Sequence, residues 1–205
     1  MLALNPLQQD ALSEIFNIGM GRAANSLSRL ANDEIGLAVP TVVFSTRSAA
    51  AKILAESAGE RVCSVRQRVE GDFSADAILI FQEKNSLEIV QLMVGNATLE
   101  NLNEMEQDAL SEIGNIILNA CIGTLTNLVG GDFVISLPSA NISTCADVLE
   151  LDKQAHDESV MLIYIYIDFV LANRQIFGHV AILQDLESMP VFMRKLEYFL
   201  ASVQH

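Results

Sequence analysis

Asp10, Glu14 and Asn17 recur at unchanged spacing as Asp108, Glu112 and Asn115. On a helix, residues three apart are surface neighbours, with Cβ atoms about 5–6 Å from each other. The glutamate offers an acceptor for a cationic group. The asparagine carboxamide offers both donor and acceptor, so it can hold a water molecule in a chosen orientation. Neither is a nucleophile here. The chemistry on offer is anchoring and positioning.

The polar trio sits inside a phrase written twice. LQQDALSEIFNI begins at Leu7 and MEQDALSEIGNI at Met105, with nine of twelve positions identical. The offset is 98 residues, and it still holds where Pro40 falls on Pro138 and Ser45-Thr46 on Ser143-Thr144. Packing alone would keep the apolar positions. Keeping Asp, Glu and Asn while Phe16/Gly114 and Gly19/Ile117 diverge needs another reason.

Other chemistries find little support. A carboxylate di-iron bundle wants Glu-x-x-His, and both copies read Glu-x-x-Asn. His156, His179 and His205 are scattered, and the chain has no P-loop, no G-x-S-x-G and no Cys/His set suited to nucleophilic catalysis.

Composition narrows the partners. The 205 residues carry a net charge of −14, and 51% of them are hydrophobic. Such a surface repels phosphate backbones and anionic lipids, so neither nucleic acid nor membrane insertion is expected. A partner with a basic patch or an exposed lysine is favoured. Cys63, Cys121 and Cys145 show no CxxC spacing, and their odd count argues against a disulfide framework. They read as reduced thiols in a cytoplasmic protein. MLALNPLQQD lacks the pattern of a signal peptide, and the longest apolar run, Val160 to Val170, is too short for a bilayer of about 20 residues.

The elements that must carry the motifs follow from local signals. A long helix should start at an Asn5 cap with Pro6 in its first turn and Gln8 as capping-box partner. The second copy repeats this with Asn103 and Glu106. The helices should end near Ala31-Asn32 and Val129-Gly130. After Pro40 come a strand TVVFS and a short helix over Ser48–Ser57. A hairpin of Val62–Val69 and Ala75–Phe81, turning near Glu70-Gly71-Asp72, follows, then a helix over Asn85–Val94. The second copy has strands at Ala140–Thr144, Val160–Val170 and Gln175–Leu183 and a helix from about Leu186 to Val203. Ile80-Phe81-Gln82 matches Ile182-Leu183-Gln184 at an offset of 102, which puts about four extra residues in the loop before Val160. The expected architecture is α/β of the α+β type. It is one pseudo-twofold domain over residues 1–205, made of two repeats (about 1–98 and 99–205). A mainly antiparallel sheet packs against two long motif-bearing helices and shorter ones.

On a helical wheel with Asp10 at zero, Glu14 falls near about 40°, Asn17 near about 340° and Gly21 near about 20°. Leu12, Phe16, Gly19, Ala23, Leu27 and Leu30 fall on the opposite, core-facing side. In the second copy Asp108, Glu112, Asn115 and Asn119 lie outside, with Leu110, Gly114, Cys121, Leu125 and Leu128 inside.

The pattern Asp-x3-Glu-x2-Asn-x22-Pro, present from Asp10 to Pro40 and again from Asp108 to Pro138, resembles the signature of the CheC/CheX/FliY family of bacterial chemotaxis phosphatases. The resemblance covers nearly the whole chain, and two complete motifs are the CheC-like arrangement. It implies a phosphatase acting on the aspartyl phosphate of a CheY-type receiver domain. By that resemblance Asn17 and Asn115 align a water in line with phosphorus. Glu14 and Glu112 pair with the receiver's active-site lysine, while Asp10 and Asp108 support the geometry. Gly21 lets another backbone approach, and Pro40 and Pro138 fix the chain where it turns into a strand. The protein brings no cofactor of its own; Mg²⁺ belongs to the receiver. CheD, the receptor deamidase, is a further partner within the family's range. Two rival readings are a module that binds phosphorylated receivers or CheD without turnover, and a flagellar-switch component. Gly19 and Gly21 leave space beside Asn17, whereas Ile117 and Asn119 add side chains beside Asn115, so the first site is expected to be the stronger.

Overall fold

The computed structural model describes residues 4–71, 74–94, 102–130, 132–149, 161–171, 174–184 and 189–203. The elements run α1 (Pro6–Ala31), β1 (Ile35–Thr46), α2 (Arg47–Ala58), β2 (Arg61–Gly71), β3 (Ala75–Gln82), α3 (Glu83–Val94), α4 (Leu102–Val129), β4 (Phe133–Ile135), β5 (Ser139–Thr144), α5 (Cys145–Val148), β6 (Met161–Leu171), β7 (Arg174–Gln184) and α6 (Met189–Val203).

Local chemistry accounts for the helix ends. The Asn5 side chain accepts from Gln8 N while the Gln8 side chain accepts from Asn5 N, each at 2.9 Å, a complete capping box. Asn32 closes α1 in the left-handed region at φ 52°, and Gly130 follows α4 at φ +67°. Thr46 caps α2 and Thr144 caps α5. That gives the Ser-Thr pair retained at the 98-residue offset a local reason. In the second copy, however, α4 already begins at Leu102, so Asn103 lies inside the first turn and does not precede it.

Seven strands form one sheet in the order β1-β6-β7-β3-β2-β4, with β5 also paired to β2. All these pairings are antiparallel. β1 from the first half pairs with β6 from the second, while β4 and β5 pair with β2 from the first. Each half therefore lends its opening strand to the other. The mixed α/β fold with a mainly antiparallel sheet matches the architecture expected from the sequence.

Strand alternation divides the core in two. Cys63, Val65, Val69, Ile163, Ile165 and Ile167 face the layer of α1, α3, α4 and α6. Val62, Ile78, Ile80, Tyr164 and Ala181 face α2 and α5. Residues Gln107–Leu128 of α4 are long and apolar enough to cross a bilayer by length and composition. Here Leu110, Ile113, Ile117, Cys121 and Leu125 spend that apolarity in the core.

Several expectations need correction. β1 does not begin after Pro40 but runs through it. β2 continues to Gly71, so Glu70 and Gly71 of the expected turn belong to the strand, while Asp72 lies outside the described residues. β4 and the one-turn α5 were not legible locally. The loop before Val160 and the start of the last helix at Leu186 lie outside the described residues. Leu30 is 49% exposed, not core.

Gly19 does not leave open space. A Cβ there would meet Thr124 Oγ1 at 2.5 Å and the Ala120 carbonyl oxygen at 2.9 Å, so its missing side chain lets α1 and α4 pack closely. At Gly21 nothing lies within 4 Å. Gly19→Ala should therefore lose about 1–3 kcal/mol through overpacking, whereas Gly21→Ala should gain up to about 1 kcal/mol of helix propensity. Urea unfolding of both variants checks this; equal shifts would refute the packing role of Gly19.

Candidate functional site

α1 and α4 present the two motif faces. Asp10, Glu14 and Gly21 are exposed, as are Asp108, Glu112 and Asn119, while Asn17 and Asn115 are half-buried. Glu14 and Glu112 have no hydrogen bond or ion pair among the described residues, so both carboxylates stand available to an incoming cation. The site is a helix ridge. Two surface depressions, one lined by Asn25, Ser28 and Asn32 and the other by Glu56, Ser57 and Lys84, include no motif residue. A ridge of this kind suits a macromolecular substrate that supplies its own cleft.

The first asparagine is held by backbone. Asn17 Nδ2 donates to the Val39 carbonyl at 3.1 Å, and Val39 N donates to Asn17 Oδ1 at 2.8 Å. Val39 directly precedes Pro40. β1 is an edge strand whose pairing with β6 shifts register between Ala38 and Thr41. An edge bulge is where a proline fits, because it has no N–H to give a ladder. The 22-residue gap in the signature is thus a through-space contact, in which the carboxamide clamps the irregular backbone that the proline creates.

The second asparagine is held differently. Gln67 Nε2 donates to Asn115 Oδ1 at 3.1 Å and also to the Ser136 carbonyl at 3.2 Å. Asn119 Nδ2 donates to the same Asn115 Oδ1 at 2.9 Å. Asn119 is thus a hydrogen-bond partner of Asn115 and not only a source of bulk. Leu137, which stands where Val39 does in the first copy, is 89% exposed against 2% for Val39. The β1 bulge has here become a break between β4 and β5. Gly114, beside Asn115, is excluded from larger side chains by contact with Val65.

Gln67 and Ser136 were missed from sequence. One signal was available: Gln67 interrupts the apolar alternation Cys63, Val65, Val69 on one face of β2. It is 1% exposed, and its Oε1 has no hydrogen-bond partner among the described residues.

The remaining reactive side chains are not poised for nucleophilic chemistry. Cys63, Cys121 and Cys145 are free and buried, and burial pushes the Cys121 thiol up to about 12. Ser57 Oγ donates to the Ile53 carbonyl at 2.8 Å and lies 3.2 Å from His179 Nε2, whose Nδ1 is 3.0 Å from Tyr164 Oη. Burial lowers His179 to about 4.

Comparison with known proteins places this geometry. The CheC-like family matches residues 7–44 and the chemotaxis phosphatase CheX family residues 63–159. The CheY-P phosphatase CheC of Bacillus subtilis is 27% identical over 146 residues, covering 69% of each chain. The chain is similar to the CheC/CheX/FliY family of chemotaxis phosphatases in both its halves. The flagellar motor switch phosphatase FliY of Bacillus subtilis is 22% identical over 161 residues, 77% of this chain and 42% of that protein; the chain therefore spans less than half the length of that relative. The crystal structure of Thermotoga maritima FliY shares the fold, with a TM-score of 0.71, 22% identity, and coverage of 95% of this chain and 100% of that one. The FliM middle domain of Helicobacter pylori shares it at a TM-score of 0.60 and 12% identity, covering 94% and 99%.

Two outcomes follow. Asn17→Ala strips two hydrogen bonds from the buried backbone of Val39 and should cost about 1–3 kcal/mol. Asn115→Ala, which leaves the Gln67–Ser136 bond in place, should cost about 1 kcal/mol or less. Urea titrations of the two variants measure the difference, and equal losses would contradict the clamp. The second outcome concerns pH. Unfolded, His179 titrates near 6.5, but the folded site resists protonation to about 4. The unfolded chain therefore binds the proton first, so stability is full above pH about 6.5 and falls as the pH drops through about 4, by up to roughly 3 kcal/mol. His179→Gln should flatten the acid limb of stability against pH; an unchanged slope would show that other groups carry it.

Proposed function

We propose that this protein accelerates hydrolysis of the aspartyl phosphate on a CheY-type receiver domain in chemotaxis. The observation that carries the reading is the repeated pairing of an unpartnered, exposed glutamate with a half-buried asparagine whose carboxamide is held by hydrogen bonds. Relatives bearing the names CheY-P phosphatase and flagellar motor switch phosphatase support it. The whole chain, residues 1–205, works as one unit of two repeats.

In this reading Glu14 and Glu112 dock against the receiver's lysine. Asn17 and Asn115 enter the receiver's site and fix a water against phosphorus. The water oxygen bonds to phosphorus, the P–O bond to the receiver's aspartate breaks and leaves its carboxylate, and inorganic phosphate departs as dihydrogen phosphate carrying both of the water's hydrogens. The receiver supplies the acyl phosphate and Mg²⁺; this chain supplies position. Asp10, Asp108, Gly21, Pro40 and Pro138 support the two faces. The substrate places the protein in the cytoplasm, and CheD remains a second partner to test.

In this reading the order of the two sites is the reverse of the one expected from sequence. Asn17 must give up its bonds to Val39 before both ends of its carboxamide are free. Breaking them costs about 1–3 kcal/mol, or roughly 5- to 150-fold in rate. Asn115 keeps its bonds and still offers Nδ2. The second site is therefore the principal one.

A second reading, a flagellar-switch component, draws on the FliY and FliM folds. It predicts binding to rotor proteins without turnover.

Phosphate release from a phosphorylated CheY-type receiver decides between them. The protein should speed release at least about tenfold over the receiver alone. Asn115→Ala should remove more of that acceleration than Asn17→Ala. Glu14→Lys with Glu112→Lys should weaken binding to a receiver held in a phosphorylated-like state, because an attractive pair becomes a repulsive one. Release no faster than that of the receiver alone would contradict the enzyme reading.

A further inference from the structure

Asn115 is half-buried, and its carboxamide has an assigned direction. Ser136 is fixed to β2 on both sides of its backbone: its N donates to the Arg68 carbonyl at 2.9 Å, and its Oγ accepts from Arg68 N at 2.9 Å. Its carbonyl then accepts from Gln67 Nε2. A backbone carbonyl can only accept, so it settles which end of the Gln67 amide faces it. That same NH₂ group must meet an oxygen on Asn115, and it meets Oδ1. Asn119 adds a second donor to Oδ1, which fills both acceptor positions of that oxygen. Nδ2, without a hydrogen-bond partner among the described residues, is the end left for a substrate.

The first copy lacks every part of this chain. Leu37 pairs with Phe169 and Ile135 with Val69. The residue of β6 that matches Gln67 is therefore Ile167, which is buried and apolar. Ser136 corresponds to Ala38 and Asn119 to Gly21. Gln67 also lies almost wholly inside an otherwise apolar layer, with its own Oε1 unpartnered among the described residues. Packing alone would be served better by an apolar residue there, as it is at Ile167.

We propose that Gln67, oriented by the Ser136 carbonyl and assisted by Asn119, is a positioning residue that sets Asn115 with its NH₂ group outward. The second site then meets the phosphoryl group, or the oxygen of the attacking water, as a hydrogen-bond donor. This rests on the phosphatase reading above and adds to it which end of the carboxamide works and what holds it.

The test uses the full-length protein with Gln67→Leu and Gln67→Glu and a phosphorylated CheY-type receiver as substrate. Gln67→Glu keeps size and removes both donors; its carboxylate would draw Asn115 Nδ2 inward. Each variant should lower kcat on the order of 10- to 100-fold while leaving KM within about twofold, because the glutamate anchors are untouched. Asn119→Ala should lower kcat by a smaller factor. A readout independent of turnover is the side-chain NH₂ resonance pair of Asn115 in ¹⁵N spectra. Those signals should be distinct in the wild type and move to averaged, solvent-like positions in Gln67→Leu. Unchanged kcat in either folded Gln67 variant, or an Asn115 NH₂ pair unmoved by Gln67→Leu, overturns the proposal. So does a rise in kcat for Asn119→Ala, which would make Asn119 an obstacle. If the wild type fails to accelerate phosphate loss, the phosphatase reading falls and this proposal with it; loss confined to the Gln67 variants supports both.

Discussion

The Asn17 carboxamide reaches across the molecule to the backbone of Val39, and much of the architecture depends on that contact. Pro40 cannot donate to the sheet, so β1 must bulge, and a bulge leaves N–H and C=O groups of Val39 without ladder partners. The carboxamide here uses one N–H and one acceptor position of its oxygen, spaced to match a peptide unit. It completes what the proline interrupts and ties the middle of α1 to the edge of the sheet. In the first half this bond spans the stretch of chain between asparagine and proline.

The second half does not make this contact at its own asparagine. Leu137 is exposed, the edge strand has split into β4 and β5, and Ser136 is fixed to β2 instead. The Asn115 carboxamide is held by Gln67 and Asn119. One half spends its asparagine on structure; the other buries a glutamine, at some cost to the core, to hold its asparagine outward. Both arrangements need the strand exchange, because β1 rests on β6 and β5 on β2. Neither half can form its edge without the other. Close contact of α1 with α4 at Gly19 joins the helices that carry the two faces.

Much of this was legible in the sequence where the cause is local. The Asn5–Gln8 capping box, the left-handed stop at Asn32, the outward Asp10–Glu14 face and the two hairpins follow from propensities and periodicity within a few residues. What escaped depends on residues far apart in the chain. Asn17 read as a free carboxamide because Val39 is near it only in the fold. Gly19 read as open space because Thr124 and Ala120 are 101 or more residues away. Asn119 read as an obstacle because the bond it makes also requires Asn115 to be turned by Gln67, on another element. Leu30 kept the helical period but, in the last turn of α1, is 49% exposed. The one-turn α5 is too short to produce a period of its own.

The central claim is that Asn115, held from behind, acts on the receiver's phosphoryl group. The most direct measurement is a structure of this protein bound to a CheY-type receiver carrying beryllofluoride in place of phosphate. The account predicts Asn115 inside the receiver's site, with Oδ1 still on Gln67 and Nδ2 within about 3 Å of a fluoride or the in-line water. Glu112 should lie against the receiver's lysine, and the Asn17–Val39 pair should be intact or only partly opened. A complex in which Asn115 has left Gln67, or in which only the α1 face engages the receiver, would contradict it.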